Sequence, residues 1–409
     1  MTSSAAASAE IPPPDPAIPA WDIDPYDEAV LRDPVPYYDE LRARGPLTWL
    51  TRYGMFAAGR HPEVQEIFSD WERFVSSRGV GISDFKLEKP WRPPSIVLEV
   101  DPPAHTRTRA VITRALSPRA VSRLKEGFAA EADALIDRLL AKGEFDAVAD
   151  LAEAYPLKVF PDAVGISPDG REMLLTYGAM VFNALGPDNA LRRAAMAQAP
   201  EVTAWIAGRC RRDAITKDGF AASIYGAADS GDLSEEECGL LVRSLLSAGV
   251  DTTVNGLGAA IWCLANNPDQ LAALRADPKL ARPCFEEVLR MTSPVHSFCR
   301  TANQDTEVSG IAIPEGSKIL CVLAAANLDP EHWPNADRFD IARRPVGHVA
   351  FGTGIHGCVG QSVARQEAEA VLSAIARKVD SIELTGPAEW RPNNAVRGLA
   401  SLPVRFAAA

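Results

Sequence analysis

The sequence predicts a mainly α fold with small β-sheets. Two observations carry this. Helical patterns dominate from Pro103 to about Thr292, and strand-like segments are short and lie outside that block. A third observation sets the domain count: no internal repeat occurs and no linker is rich enough to divide the chain, so 21–409 reads as a single domain. The Ala/Ser/Pro-rich start, 1–20, lacks the basic start and apolar core of a signal peptide and reads as a disordered leader.

The elements follow in order. Pro34 to Arg44 is a short helix, Leu47 to Arg60 a hairpin around Tyr53-Gly54, and His61 to Ser69 a second short helix. Gly79 to Val100 is a long Pro-rich loop, of the kind that carries function. Helices are expected over about 103–117, 119–142, 149–166, 169–185, 188–212, 234–266, 268–276 and 279–292. Val295 to Pro314 holds short strands, and Leu328 to Val346 is a Pro/Asp/Arg-rich meander. A last helix covers Gln361 to Arg377, and strands fill Ile382 to Phe406.

Charge and cysteines narrow the function. A net charge of −12 argues against nucleic acid as the main partner. The seven cysteines form no C-x-x-C pair, which argues against common zinc sites and a disulfide framework. No long uncharged apolar span occurs, so a soluble, cytoplasmic protein without a membrane anchor is expected.

The chain converges on His348-Val-Ala-Phe-Gly-Thr-Gly-Ile-His-Gly-Cys-Val-Gly-Gln361. Dense glycines imply a backbone that turns sharply and approaches something closely. Cys358 stands just before a helix N-terminus, where N–H groups and the helix dipole favour a thiolate. Three readings compete. One is a tight loop with a buried free cysteine. A second takes Gly352, Gly354 and Gly357 as a dinucleotide loop, but only about fifty residues remain for the βαβ unit this needs. The third is an axial thiolate for haem iron.

Phe351, Gly354, Cys358 and Gly360 stand at the spacing Phe-x-x-Gly-x-x-x-Cys-x-Gly, which resembles the haem-ligand signature of cytochrome P-450 monooxygenases. Companions appear in family order. Ala248-Gly-Val-Asp-Thr-Thr253 sits in a helix that is apolar all round, where polar residues need partners or a task. A Thr hydroxyl can bond the carbonyl one turn back and loosen the helix into a groove for dioxygen. Asp251 and Thr252 resemble the family's acid–alcohol pair. Glu287-Val-Leu-Arg290 puts a carboxylate and a guanidinium on one helix face, and most such pairs are surface decoration. In the family a meander arginine joins them, and Pro334-Asn-Ala-Asp-Arg338-Phe339 makes Arg338 the expected third partner.

The resemblance implies a cytochrome P-450 fold with haem b between the long buried helix and the Cys loop. Cys358 would ligate the iron; His105, Arg109, Arg300 and His356 would hold the propionates, with Phe351 and Ala248 against the ring. It implies O2-dependent monooxygenation, with electrons from NAD(P)H through a reductase and a [2Fe–2S] ferredoxin, in a monomer. An acid-free basic run, Arg107, Arg109, Arg114, Arg119, Arg123 and Lys125, is the expected ferredoxin face. A haem-binding sensor without turnover is the reading from another class, disfavoured because no effector domain is appended.

The pocket positions resemble those of P-450 enzymes that oxidise para-substituted benzoic acids such as 4-methoxybenzoate. Arg92, Ser95, Arg243 and Ser244 would hold the carboxylate. Phe182, Leu185, Val295 and Phe298 would line an apolar slot for the ring. In that group a phenylalanine stands where this chain has Leu185. Without the resemblance, an exposed Arg92 and an Arg243 paired with Glu235, Glu236 or Glu237 would be the simpler expectation, and a neutral apolar, terpenoid-like substrate is the alternative.

Overall fold

The helix-rich middle folds as periodicity dictates in the computed structural model, which describes residues 15–409. Val35–Arg44, His61–Ser69, Ala104–Ala115, Pro268–Ala276, Ala281–Thr292 and Gln361–Lys378 lie within two or three residues of their expected spans. The strands form one six-stranded mixed sheet, in the order Ala20–Trp21, Thr48–Leu50, Met55–Ala58, Lys318–Cys321, Phe298–Ala302, Phe74–Val75, and three smaller sheets. The fold is therefore mainly α with small sheets.

Several helices break where the sequence reading runs them through. The expected 119–142 is Pro118–Ser122 followed by Lys125–Lys142, and 188–212 divides into Ala190–Met196 and Ala199–Arg209. Pro200 opens the second of these, where a missing N–H costs nothing. The expected 149–166 begins as a π-helix, Val148–Glu153, before Ala154–Val164. Phe220–Asp229 has no counterpart in the expectation: Gly219, Gly226 and Gly231 disguise it as loop. Lys318–Cys321 and Leu323–Asn327 are equally hidden from periodicity, since both are short and buried on every side. The leader is shorter than expected. Residues 1–14 lie outside the described residues, but Ile18 is buried and Ala20–Trp21 pairs in parallel with Trp49 and Leu50 of the hairpin.

Asp251–Asn266 is the central helix, with twelve of its sixteen residues buried. Its small residues permit close packing: a Cβ on Gly256 would stand 3.2 Å from the Phe285 ring. Glu235–Ala248 precedes it and starts on a capping box, Ser234 with Glu237.

The Glu-x-x-Arg pair is fully buried. Arg290 Nε and Nη2 each lie 2.8 Å from a Glu287 oxygen, and Arg290 Nη1 donates to the carbonyls of Asn327 and Ala336. The third partner is Arg343, not Arg338. Arg343 Nε donates to Glu287 at 2.9 Å, while the exposed Arg338 contributes only its carbonyl, 3.3 Å from Arg290 Nη2. The meander turns after Phe339, whose burial holds that stretch, and brings the arginine five residues after Arg338 round to the acid.

Breaking a buried ion pair by removing one partner costs about 3–5 kcal/mol. Glu287→Ala is expected to lose that much stability in urea unfolding. Arg343→Ala should lose a smaller part, and Arg338→Ala should stay within about 0.5 kcal/mol of the parent because its carbonyl remains.

Candidate active site

The Cys loop is shaped by glycine. Gly352 and Gly354 adopt φ of 66° and 68°, and a Cβ on Gly354 would meet the Phe68 carbonyl oxygen at 2.6 Å. The loop closes through Cys358 N–H donating to the Phe351 carbonyl at 2.8 Å. It delivers Cys358 to the start of Gln361–Lys378, as expected. Burial pushes the thiol up, opposed by the Gly360 N–H, by Arg109 and Arg365, and by the Gln361 N–H. A metal ion at the sulfur would outweigh that burial and remove the proton. Phe351 stays half-buried beneath the Arg365 guanidinium, 4.5 Å from its ring centroid.

Four cationic or donor groups gather beside this loop. The rings of His105 and His356 are 4.5 Å apart, and Arg109 donates to the Gly357 carbonyl at 2.5 Å. Arg300 is buried, with its guanidinium 4.1 Å over the Phe68 ring. His105 Nε2 and both His356 ring nitrogens are buried without a hydrogen-bond partner; Asp101 is nearest to His356 Nε2, at 3.8 Å. Burial holds His105 down to about 4 and lowers His356, Arg109 and Arg300. Buried donors without acceptors are costly. Two carboxylates would satisfy them, and these residues therefore fit the propionates of a haem whose iron faces Cys358.

On the opposite side the expected 234–266 helix is interrupted at Gly249-Val250. A Cβ on Gly249 would stand 2.1 Å from the Phe160 ring, so only glycine fits there. Thr252 Oγ1 donates to the Ala248 carbonyl at 2.7 Å, the back-bond that loosens a helix. Ala248 itself is uncovered by protein. Asp251 is buried against Gly178, where a Cβ would approach its own to 2.7 Å. Burial pushes Asp251 up to about 6, tempered by Arg391 and reinforced by Glu153. Neither Arg391 nor Glu153 was singled out by the sequence, because each lies far from Asp251 along the chain.

The substrate candidates also converge. Ser95 Oγ and Ser244 Oγ are 3.2 Å apart, and Arg243 donates to the carbonyls of Pro93 and Pro94. The simpler expectation for Arg243 fails: Glu235 pairs with Arg212, and Glu237 with Arg107. Arg92 is not exposed; its Nε is buried and unpartnered, and Nη2 lies 3.6 Å from Glu99. Glu99 escaped the sequence reading. Its position, four residues after Ser95 in the same loop, lets it accept from the Ser95 N–H at 2.7 Å. Arg92 and Leu185 line one cavity of about 80 Å³. Phe182 clusters with Ala395 and Val396, and Leu185, Val295 and Phe298 pack on that cluster.

The basic run is less free than its sequence suggests. Arg107 and Arg114 are paired with Glu237 and Asp232, and Arg109 is turned to the Cys loop. Arg119, Arg123 and Lys125 remain exposed and, among the described residues, form no ion pair.

The folded state holds the Asp251 proton more tightly than the unfolded chain does. Its contribution to stability therefore falls as pH rises from 3.8 through about 6. Asp251→Asn is expected to gain on the order of 3 kcal/mol relative to the parent above that window and nothing below it. Urea unfolding at pH 5 and pH 8 measures the difference.

The comparisons with known proteins follow this geometry. The family model "Cytochrome P450" matches residues 208–383. The chain is 53% identical to cytochrome P450 CYP199A2 of Rhodopseudomonas palustris over 390 residues, 95% of each chain. It is 33% identical to the cytochrome P450 monooxygenase PikC of Streptomyces venezuelae, over 95% of this chain and 94% of that one. A solved structure of cytochrome P450 CREJ in complex with (4-ethylphenyl) dihydrogen phosphate superposes with a TM-score of 0.85 at 27% identity, covering 94% of this chain and 99% of that one. The likeness to these relatives runs over almost the whole chain, through the cysteine loop, the interrupted central helix and the unpaired buried donors between them, and the chain belongs to the haem-binding cytochrome P450 monooxygenase family.

Proposed function

We propose that this P450 oxidises para-substituted benzoic acids, 4-methoxybenzoate among them, by O-demethylation or hydroxylation at the para group. One observation carries the reading. At the slot's end two guanidiniums, Arg92 and Arg243, face one carboxylate, Glu99, beside the hydroxyls of Ser95 and Ser244. That cluster has one positive charge too many, which a single carboxylate would balance. The apolar walls, Phe182, Leu185, Val295 and Phe298, suit an aromatic ring. CREJ, whose solved complex holds a para-ethyl aryl phosphate, is a relative that binds a ligand of the same plan.

Haem, when bound, supplies the activation of dioxygen and the oxidation of the substrate carbon. This chain's residues do the rest. Cys358 holds the iron, and His105, Arg109, Arg300 and His356 hold the propionates. Phe351 and Ala248 border the ring. The Ser244 proton lies on the Leu240 carbonyl and the Ser95 proton faces Ser244 Oγ, so Ser95 can rotate its proton onto an arriving carboxylate. Arg92 Nε offers a further donor. Asp251, poised near neutrality by burial, passes protons from solvent towards Thr252, whose hydroxyl stands at the helix break.

Electrons come from NAD(P)H through a reductase and an acidic [2Fe–2S] ferredoxin. Two basic groups support a docking face around the start of Gln361–Lys378. Arg119, Arg123 and Lys125 flank it on one side, where Gln366 bonds the Val121 carbonyl. On the other, Arg282, Arg344 and the 90% exposed Val346 border a surface groove of about 460 Å³ that reaches Gln361. No helix among the described residues is long and apolar enough to cross a membrane. The six cysteines other than Cys358 are buried free thiols, which suits a reducing cytoplasm.

A neutral apolar substrate is the second reading, favoured by the partial neutralisation of Arg92 by Glu99. The methyl ester separates the two. 4-Methoxybenzoate should shift the haem spin state at least roughly tenfold more tightly than its ester, the loss expected for one charge-assisted hydrogen bond. The 3-methoxy isomer should bind but release little formaldehyde, because its carbon is misplaced. Equal binding of acid and ester would select the neutral reading. Leu185→Phe should narrow the slot and tighten small para groups at the expense of long ones.

The proposed roles at the haem are checked separately. Cys358→Ser should lose the red-shifted Soret band of the ferrous–CO form; its survival would place the ligand elsewhere. Thr252→Ala should keep NADH oxidation but divert it to hydrogen peroxide, read as product formed per NADH consumed.

A further inference from the structure

Beside the slot lies a second and much smaller cavity, of about 20 Å³. Extended backbone separates the two. Val295 and Val396 bridge each other and border the slot, while their neighbours His296 and Arg397 line the small cavity. Alternate residues of an extended segment face opposite ways. Tyr37 and Tyr38, from the helix Val35–Arg44, close the far wall.

The lining is rich in donors. Arg397 stacks on Trp390, 4.0 Å from its ring centroid, and its Nη1 is buried without a partner. Tyr37 is 7% exposed, and its hydroxyl is likewise buried and unpartnered. The two remaining polar groups are already engaged with each other. His296 Nε2 lies 3.2 Å from the Asn393 carbonyl, which can only accept, so Nε2 carries the hydrogen. Nδ1 then accepts the Ser297 hydroxyl proton at 3.0 Å. The imidazole is buried and neutral. No carboxylate lines the cavity; Asp33, the acid that acts on Arg397, is exposed at the surface.

We infer that this cavity binds one small monovalent anion, a halide such as chloride, between Arg397 Nη1 and Tyr37 Oη. The volume suits one water-sized or halide-sized particle. A halide accepts from both orphan donors and balances the buried guanidinium. A water would accept from both but leave the charge uncompensated. The bound ion would tie the N-terminal helix Val35–Arg44 to the segments that carry Val295 and Val396.

Bromide is the probe. In crystals of the haem-loaded enzyme grown with bromide, an anomalous peak is expected between Arg397 and Tyr37. Bromide or chloride should raise Tm saturably over gluconate at equal ionic strength. Tyr37→Phe removes one hydrogen bond to a charged group and should move the bromide midpoint up roughly tenfold. Arg397→Gln should abolish the response; if that variant does not fold, Tyr37→Phe and the anomalous map decide. An ordered water without anomalous signal, or equal Tm in halide and gluconate, overturns the inference.

Discussion

Guanidinium groups buried with too little carboxylate around them are the constraint on which the working parts of this molecule depend. A buried cation is tolerated only when something nearby carries the opposite charge. In the Glu287 cluster the protein supplies that charge, and the result is a rigid support. Beside the Cys loop, Arg109 and Arg300 lack such a partner, and so do His105 and His356. At the slot's end Arg92 and Arg243 share only Glu99. Each deficit marks a place for an anionic group that is not protein.

The same economy of placement governs the central helix. An uninterrupted helix would satisfy every backbone group and leave no room over the Cys loop. Gly249 admits the Phe160 ring, Gly178 admits Asp251, and Thr252 turns its hydroxyl back to the Ala248 carbonyl. Three small local choices open one groove and leave an acid inside it that titrates near neutrality. Proton delivery and dioxygen access thereby share one defect in an otherwise regular element.

Much of this was legible in the chain. The Cys loop carries its geometry in four glycines, because positive φ and close approach leave no other residue. Helices such as His61–Ser69 and Pro268–Ala276 announce themselves by periodicity and by a proline in the first turn. Phe220–Asp229 did not, since glycine punctuates it as it would a loop. The meander defeated reading for another reason. Arg338 and Arg343 are equally plausible from spacing, and only the path of the backbone past Phe339 brings the second one to Glu287.

By itself the sequence determined the local chemistry: a cysteine before a helix, an acid and alcohol in an apolar helix, and a basic residue at each expected position. These depend on neighbours a few residues apart, where covalent geometry fixes what can meet. Tertiary structure alone decided which charges remain unbalanced. Glu237 neutralises Arg107 across 130 residues, Asp232 neutralises Arg114, and Glu99 reaches Arg92 while leaving Arg243 to carbonyls. Charge falls off with distance in space, not along the chain, so the sum at any site is settled only once the chain has folded.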